Sequence, residues 1–265
     1  MAQLRRAQIV AAAAAAGLDV LAHRAGTPAA RTAARLTAAT AVLALARGSG
    51  VSWAGLGLCR AELGSGVRTG LAGGACAVAG VCAAAALPAT RGFFLDERSA
   101  AAAVPGQFSA ELARITFAAI PAEELTYRSA LLGLMLEDGS RLGSAAWSSA
   151  LFGLSHISPT LSTMRQTAVQ HHLAGNWPRT AAFVTGNVAV TGIAGAAFAW
   201  LRLRSGSVVA PLLAHAALND AALVAGRAVH RRNDEPAGAD GVVRQPSRAR
   251  ARSRQASSRK ADQLR

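Results

Sequence analysis

Two adjacent glutamates, Glu123 and Glu124, lie inside an otherwise apolar run, 115–136, and Arg128 follows one helical turn later. A charged side chain at membrane depth is costly unless it is paired or hydrated, so such residues are candidates for a functional site. Residues four apart share a helical face, so Glu124 and Arg128 can form an ion pair. Glu123 lies about 100° around the helix from Glu124, so the two carboxylates can have different roles.

Two more polar pairs occur in other apolar stretches, Phe152 with His156 and His215 with Asn219, each again four residues apart. A carboxylate near a neutral histidine in a partly desolvated cavity can act as a general base toward water. Hydrolysis of an amide also needs donors aimed at the developing oxyanion, and His215 and Asn219 are suitable donors. Ser155 adjoins His156 without forming a convincing nucleophile pair, and the H-E-x-x-H pattern of zinc proteases is missing from the sequence.

Each of these features has a structural explanation when it is taken alone. Glu124 and Arg128 could be an ion pair that stabilises a helix, and either His156 or His215 could be a satisfied core histidine. Their occurrence in successive apolar segments favours one buried, water-accessible site assembled from several membrane helices.

The apolar residues come in blocks, which indicates membrane helices. Each block is about the 20 residues that a helix needs to cross a bilayer. A large soluble helical protein is the alternative, but soluble helices rarely run so far without a charge. The uncharged runs are 69–90, 142–164 with one histidine, 180–201, and 205–226 apart from Asp220.

The pattern therefore predicts an all-α polytopic membrane bundle of about eight helices, with no strand alternation and no internal repeat. A polar, glycine-containing connector is expected at 48–67 and a surface loop at 88–100. The mixed segment 158–179 is expected to form a short helix and loop near the membrane interface, where Trp177 could anchor. The predicted helices are 7–22, 31–47, 67–88, 107–136, 142–157, 160–172, 180–202 and 206–228.

The three polar patterns resemble the motifs of the CPBP family, the CAAX-protease and bacteriocin-processing intramembrane endopeptidases. Residues 120–128 resemble its E-E-x-x-x-R motif, 148–156 its F-x-x-x-H motif and 206–219 its H-x-x-x-N motif. Leu56-Gly57-Leu58 is similar to the connector ahead of a membrane helix in this family. The order and spacing make the resemblance specific, and it covers about residues 50–228.

The resemblance implies an all-helical membrane endopeptidase whose site opens toward the cytoplasm. Glu123 would be the general base and act with His156 on a water molecule, while His215 and Asn219 would stabilise the oxyanion. Glu124 and Arg128 would support the site. The candidate site residues are Glu123, Glu124, Arg128, Phe152, His156, His215 and Asn219.

Two chemical questions stay open at the level of sequence. Glu123, His156 and His215 could ligate one divalent metal such as zinc, which would make the enzyme a metalloendopeptidase. A metal-free glutamate mechanism fits the same residues, and we favour the metal-free mechanism. Asp220 could hydrogen-bond His215 or have no catalytic purpose. Tyr127 stands where the family commonly has phenylalanine.

The expected partner is a membrane-bound peptide or protein substrate: a prenylated C-terminus, a bacteriocin leader or a membrane-bound regulator. The only lysine is Lys260, and arginine and alanine are abundant, as in GC-rich genomes. This background favours a prokaryotic protein and disfavours prenyl substrates. Two alternatives remain. One is a non-catalytic scaffold or immunity protein of the same family. The other is a proton-coupled transporter, which predicts inverted repeats that the sequence does not show.

The net charge of +14 is uneven, because 227–265 carries eleven Lys and Arg against four Asp and Glu. Its polar composition predicts a disordered tail, expected to be cytoplasmic and to attract anionic lipid headgroups. No nucleic-acid partner is expected, since the tail has no interleaved aromatics. Arg202 and Arg204, expected in an outside loop, count against this orientation.

The domain organisation is predicted as N-terminal membrane helices at 1–48, a protease core at 49–228 and the basic tail at 229–265. The start of the chain mimics a signal peptide, but a retained first helix is expected because several spans follow. The three cysteines show no disulfide framework and no zinc-ligand spacing. The expected location is the plasma membrane, as a multi-pass protein.

Overall fold

The computed structural model describes residues 2–24, 27–94, 106–166 and 176–234. Nearly all of these residues are helical, and no strand occurs among them. The helices are α1 (Ala2–Arg24), α2 (Pro28–Gly48), α3 (Leu63–Ala86), α4 (107–136), α5 (Arg141–Ser155), α6 (Ile157–Gln166), α7 (Trp177–Ser205) and α8 (Val209–Asp234).

The predicted all-helical bundle is confirmed, with small differences at the helix ends. Thr27, Ser140 and Asn176 cap α2, α5 and α7, because each side-chain oxygen accepts a hydrogen bond from a backbone N–H three residues later. The loop predicted at 88–100 is wrong at its start, where Pro88–Arg91 forms a helical turn with proline in the first position. Parts of three predicted segments lie outside the described residues: 95–100 of that loop, 167–172 of the helix predicted at 160–172, and 235–265 of the tail.

Three described helices are long and apolar enough to cross a membrane: Arg60–Ala86, Trp177–Ser205 and Val209–Arg232. Trp177 and Trp200 are both exposed on α7, and at the rise of an α-helix they lie about 34 Å apart along its axis. This distance is close to the thickness of the hydrocarbon core, and tryptophan favours the two interfaces of a bilayer. The chain is therefore a helical membrane protein.

Helix α4 is one continuous helix that contains two wider, π-helical segments, Ile115–Ala119 and Leu125–Leu131. Pro121 lies just after the first of them. A proline inside an α-helix lacks its N–H and collides with the carbonyl one turn earlier, and a local π turn relieves that conflict. The second π segment contains Arg128, so the backbone of α4 is irregular on both sides of the paired glutamates.

Small residues bring the helices close together. In α1 the buried positions are Ala7, Ala11 and Ala15, one per turn, and they join the core formed by α2 and α4. Helices α5 and α7 approach through Gly153, where an added Cβ would lie 2.7 Å from the carbonyl oxygen of Val188. Small side chains let helix backbones meet at short range, as is typical of membrane helices.

The connector between α2 and α3 is anchored by two fully buried apolar residues, which the polar composition of 48–67 did not predict. Val51 and Leu56 have no exposed surface, and Ser129 of α4 donates a hydrogen bond to the Leu56 carbonyl at 2.7 Å. Arg202 donates to the carbonyls of Ala54 and Gly55 at 3.3 and 2.7 Å. The expectation that Arg202 is a loop charge is therefore wrong, because it lies buried in the last turn of α7 and binds this connector.

Candidate functional site

Glu124, Arg128 and His215 form the buried centre of the site, where α4 faces α8. Nη1 of Arg128 donates to Oε1 of Glu124 at 3.2 Å, and both side chains are fully buried. Nδ1 of His215 lies 2.8 Å from the same Oε1. A carboxylate oxygen paired with a guanidinium acts as an acceptor, so His215 donates its Nδ1–H to Glu124. This hydrogen bond fixes the orientation of the imidazole ring and directs its other nitrogen away from Glu124.

Aromatic rings surround the guanidinium of Arg128. Its Cζ lies 3.9 Å from the centroid of the Phe152 ring and 5.4 Å from that of Phe198, with Tyr127 at 5.9 Å. The negative faces of these rings offset part of the cost of burying the cation. Three buried polar atoms of the pair, Oε2 of Glu124 with Nε and Nη2 of Arg128, have no partner within the described part of the chain. The pair is thus held by its ion contact, by the hydrogen bond from His215 to Glu124 and by aromatic faces.

Glu123 occupies the open side of the site. Its side chain keeps 23% of its surface exposed, whereas Glu124 has none. Oε2 of Glu123 lies 4.0 Å from Nε2 of His215, and Oε1 lies 3.9 Å from Nη1 of Arg35 in α2. The two glutamates therefore approach opposite nitrogens of the same imidazole ring. A water molecule at hydrogen-bond distance from both Glu123 and His215 fits this separation.

His156 lies beside Phe152, one turn later at the end of α5. Its Nδ1 donates to the carbonyl of Phe152 at 2.8 Å, and its ring meets the Phe152 ring edge to face at a centroid distance of 4.7 Å. The same phenyl ring lies 6.1 Å from the ring of His215. The Phe152 ring thus lies beside both histidines, and the described contacts of Glu123 run to His215 and Arg35. The sequence-based expectation that Glu123 and His156 lie together is not met by any described contact.

Asn219 lies one turn after His215 on α8, as its spacing requires. Its Nδ2 donates to the backbone carbonyl of His215 at 3.2 Å, which leaves the second amide hydrogen for another acceptor. Asp220, a possible partner of His215 by sequence, instead accepts a hydrogen bond from Thr116 at 2.8 Å. Glu124 takes the place beside His215.

The metal hypothesis finds no matching geometry. Within the described ranges, no group of three or more His, Cys, Asp and Glu side chains is arranged to hold a metal ion. The described contacts bring Glu123 and His215 together, whereas those of the His156 ring run to Phe152 and Ser155. The described residues therefore give no three-ligand arrangement for zinc.

Three residues of the site were missed by sequence reasoning. Phe198 of α7 stacks on His215 with a centroid distance of 4.6 Å and an interplanar angle of 24°. Gly195 lies one turn earlier, where a Cβ would come within 3.1 Å of both Arg128 and Phe152. In the sequence, Phe198 and Gly195 are marked only as an aromatic residue and a glycine one turn apart in an alanine-rich helix. Arg35 carried a better signal, as a charge within the apolar face of α2.

The fold and the cluster together define a class: an all-helical membrane protein with a buried Glu–Arg–His centre and a second glutamate open to water. A family model described as Type II CAAX prenyl endopeptidase Rce1-like matches residues 105–220. This segment is less than half of the chain, includes all three motifs and lies inside the predicted core at 49–228. Residues 105–220 thus form an Rce1-like domain, consistent with the CPBP family of intramembrane proteases, as the motifs predicted. Comparisons with curated proteins and with solved structures each found no significant match.

Proposed function

We propose that this protein is an intramembrane endopeptidase that hydrolyses a peptide bond in a membrane-associated substrate, with Glu123 as the general base. The Rce1-like domain supports an endopeptidase in general, since its family is a peptidase family. The observation that carries the assignment of Glu123 is the contrast between the two glutamates. Glu124 is fully buried and bound to Arg128 and His215, whereas Glu123 is partly exposed and faces Nε2 of His215.

The first chemical step is attack of water on the scissile carbonyl carbon. A water molecule between Glu123 and His215 gives one proton to the Glu123 carboxylate as its oxygen bonds to the carbon. The carbonyl becomes a tetrahedral oxyanion. Donors aimed at that oxygen lower the barrier most, because the negative charge develops there in the transition state.

His215 and Asn219 are the proposed oxyanion donors. This role requires a proton on each nitrogen of His215, so that Nδ1–H is donated to Glu124 and Nε2–H to the oxyanion, and the second amide hydrogen of Asn219 is the other donor. Glu124 holds the ring in place, and Arg128 balances the charge of Glu124. When the tetrahedral intermediate collapses, the C–N bond breaks and Glu123 returns its proton to the leaving amine.

His156 receives a different role from the one that sequence implied. Its bond to the Phe152 carbonyl orients the imidazole, whose edge-to-face contact supports the Phe152 ring that covers Arg128 and lies beside His215. We assign His156 to shaping the wall of the site.

The substrate, cellular location and orientation are part of the proposal. A site between membrane helices suits a membrane-bound peptide or protein, and an arginine- and alanine-rich composition that favours a prokaryotic protein supports the plasma membrane as its location. The basic composition of 227–265 supports a cytoplasmic C-terminus. Protease accessibility of the tail in spheroplasts and in inverted vesicles checks this orientation.

The test is cleavage of a membrane-peptide library by the purified protein in lipid nanodiscs, read by mass spectrometry. Wild type is compared with Glu123→Gln and with Glu137→Gln, an exposed glutamate just after α4. Loss of the general base should lower kcat by about 100-fold or more, while Glu137→Gln keeps the wild-type rate. Addition of a chelator should leave wild-type cleavage unchanged.

Full activity of Glu123→Gln would remove Glu123 from the mechanism, and chelator-sensitive cleavage would restore a metal to it. Absence of cleavage by folded wild type across the library would favour the non-catalytic scaffold. Circular dichroism of each variant confirms that the helix content is unchanged.

A further inference from the structure

Arg35 brings a positive charge to the site from outside the Rce1-like segment. Its Nη1 lies 3.9 Å from Oε1 of Glu123, and the two side chains are 24% and 23% exposed. Arg35 belongs to α2, whereas the matched segment begins at residue 105. The family match therefore includes Glu123 but does not include Arg35, the cationic residue beside it.

The position of Arg35 on α2 is unusual for an arginine. The buried residues of α2 are Ala38, Ala39, Val42 and Ala46, which form a stripe that packs against α4. Arg35 lies on the same stripe, three and four residues before its first two members. A long cationic side chain normally directs its head toward water, but here it projects from the packing face toward a carboxylate of α4. The helix–helix packing therefore directs Arg35 at Glu123.

The two oxygens of Glu123 face two different groups. Oε1 approaches Arg35 and Oε2 approaches Nε2 of His215, at nearly equal distances of 3.9 and 4.0 Å. A glutamate side chain has several rotatable bonds, and a partly exposed one samples several rotamers unless something holds it. A contact at Oε1 leaves Oε2 directed to the place where the water must lie.

We propose that Arg35 is a positioning residue for Glu123, so that α2 is part of the active site. This inference rests on the proposed function, because it assumes that Glu123 is the general base. Arg35 acts through Glu123 and makes no contact with the substrate. Its loss therefore lowers the rate of the chemical step and leaves substrate binding unchanged.

The kinetic test compares Arg35→Gln and Arg35→Lys with Arg31→Gln in the full-length chain in nanodiscs, using a peptide that wild type cleaves. Arg31 is the matched control, because it lies one turn earlier on α2 and is exposed. A misplaced base costs roughly 10- to 100-fold in rate, so Arg35→Gln should lower kcat by that factor with KM unchanged. Arg35→Lys keeps the charge and should recover most of kcat, and Arg31→Gln should match wild type.

Three kinetic results would overturn the proposal. A wild-type kcat in Arg35→Gln would leave Arg35 without a role in the reaction. A raised KM with unchanged kcat would assign Arg35 to substrate binding. A loss that Arg35→Lys does not recover, together with a lower melting temperature, would assign it to the packing of α2.

A second measurement does not depend on activity. In a double-mutant cycle of thermal unfolding, Arg35→Gln and Glu123→Gln should shift Tm by less together than the sum of their separate shifts, because each removes the same pair. Additive shifts would show that the two side chains do not interact, and would overturn the proposal. If folded wild type cleaves no peptide, the proposed function fails, whereas the cycle still decides whether Arg35 holds Glu123.

Discussion

Arg128 is the residue on which the charge balance of the site depends. Its guanidinium is fully buried, bound to Glu124 and covered by the faces of Phe152 and Phe198. A buried ion pair adds little net stability when compared with apolar residues of the same size, but removal of one partner leaves an uncompensated charge. The pair is therefore more important for holding His215 than for holding the fold.

Arg128→Ala should destabilise the protein by about 3–5 kcal/mol, because Glu124 is left buried without its cation. The loss is measured as a lower Tm in nanodiscs and a lower yield of folded protein. Arg204→Ala is the control, since Arg204 is exposed on α7. The double variant Glu124→Leu/Arg128→Met should recover stability but not cleavage, and a double variant as unstable as Arg128→Ala would contradict this account.

Helices α5 and α7 position the two aromatic rings of the site, Phe152 and Phe198. They pack through Gly153 and Gly195, and the same contact holds Phe152 against Arg128 and Phe198 against His215. A side chain at either glycine would separate the two backbones. The exact approach of these helices therefore decides whether the rings reach the charged centre.

Gly153→Ala tests this approach. The added Cβ would lie 2.7 Å from the backbone carbonyl of Val188, so α5 must move, and overpacking of this kind costs about 1–3 kcal/mol. Gly186→Ala on α7 is the matched control, because a Cβ there meets no atom within 4 Å. We expect a lower Tm and lower kcat for Gly153→Ala only, and equal Tm values for both variants would argue against close α5–α7 packing.

The molecule as a whole separates into a membrane-embedded site and a basic C-terminal segment. All proposed catalytic residues lie between Glu123 and Asn219, and Arg35 joins them from α2. We propose that the positive charge of 227–265 attracts anionic lipid headgroups at the cytoplasmic surface and that the segment has no direct part in catalysis.

Removal of 235–265 should leave kcat and KM at wild-type values, because no proposed site residue lies there. The measurement uses the same peptide and nanodiscs as the Glu123 experiment. Substitution of the arginines of this segment by glutamine in the full-length chain is the companion variant, which separates loss of charge from loss of length. A large fall in kcat in the truncated protein would place part of the active site in the tail.

Sequence alone determined the helical class and most of the helix positions. Long uncharged runs can only be buried in a membrane or a large core, and helical spacing fixes which residues share a face. The pairing of Glu124 with Arg128, which was expected from their spacing, is present in the structure. These are local properties, so they can be read from neighbouring residues.

Tertiary structure decided which faces meet, because contacts between helices depend on packing that no local pattern encodes. It placed His215 between the two glutamates, the Phe152 ring beside both histidines, and Arg202 on the connector between α2 and α3. It also brought Arg35 to Glu123 across 88 positions of the chain. The sequence showed which residues carry the chemistry, and the packing of small residues at helix contacts determined how they are arranged.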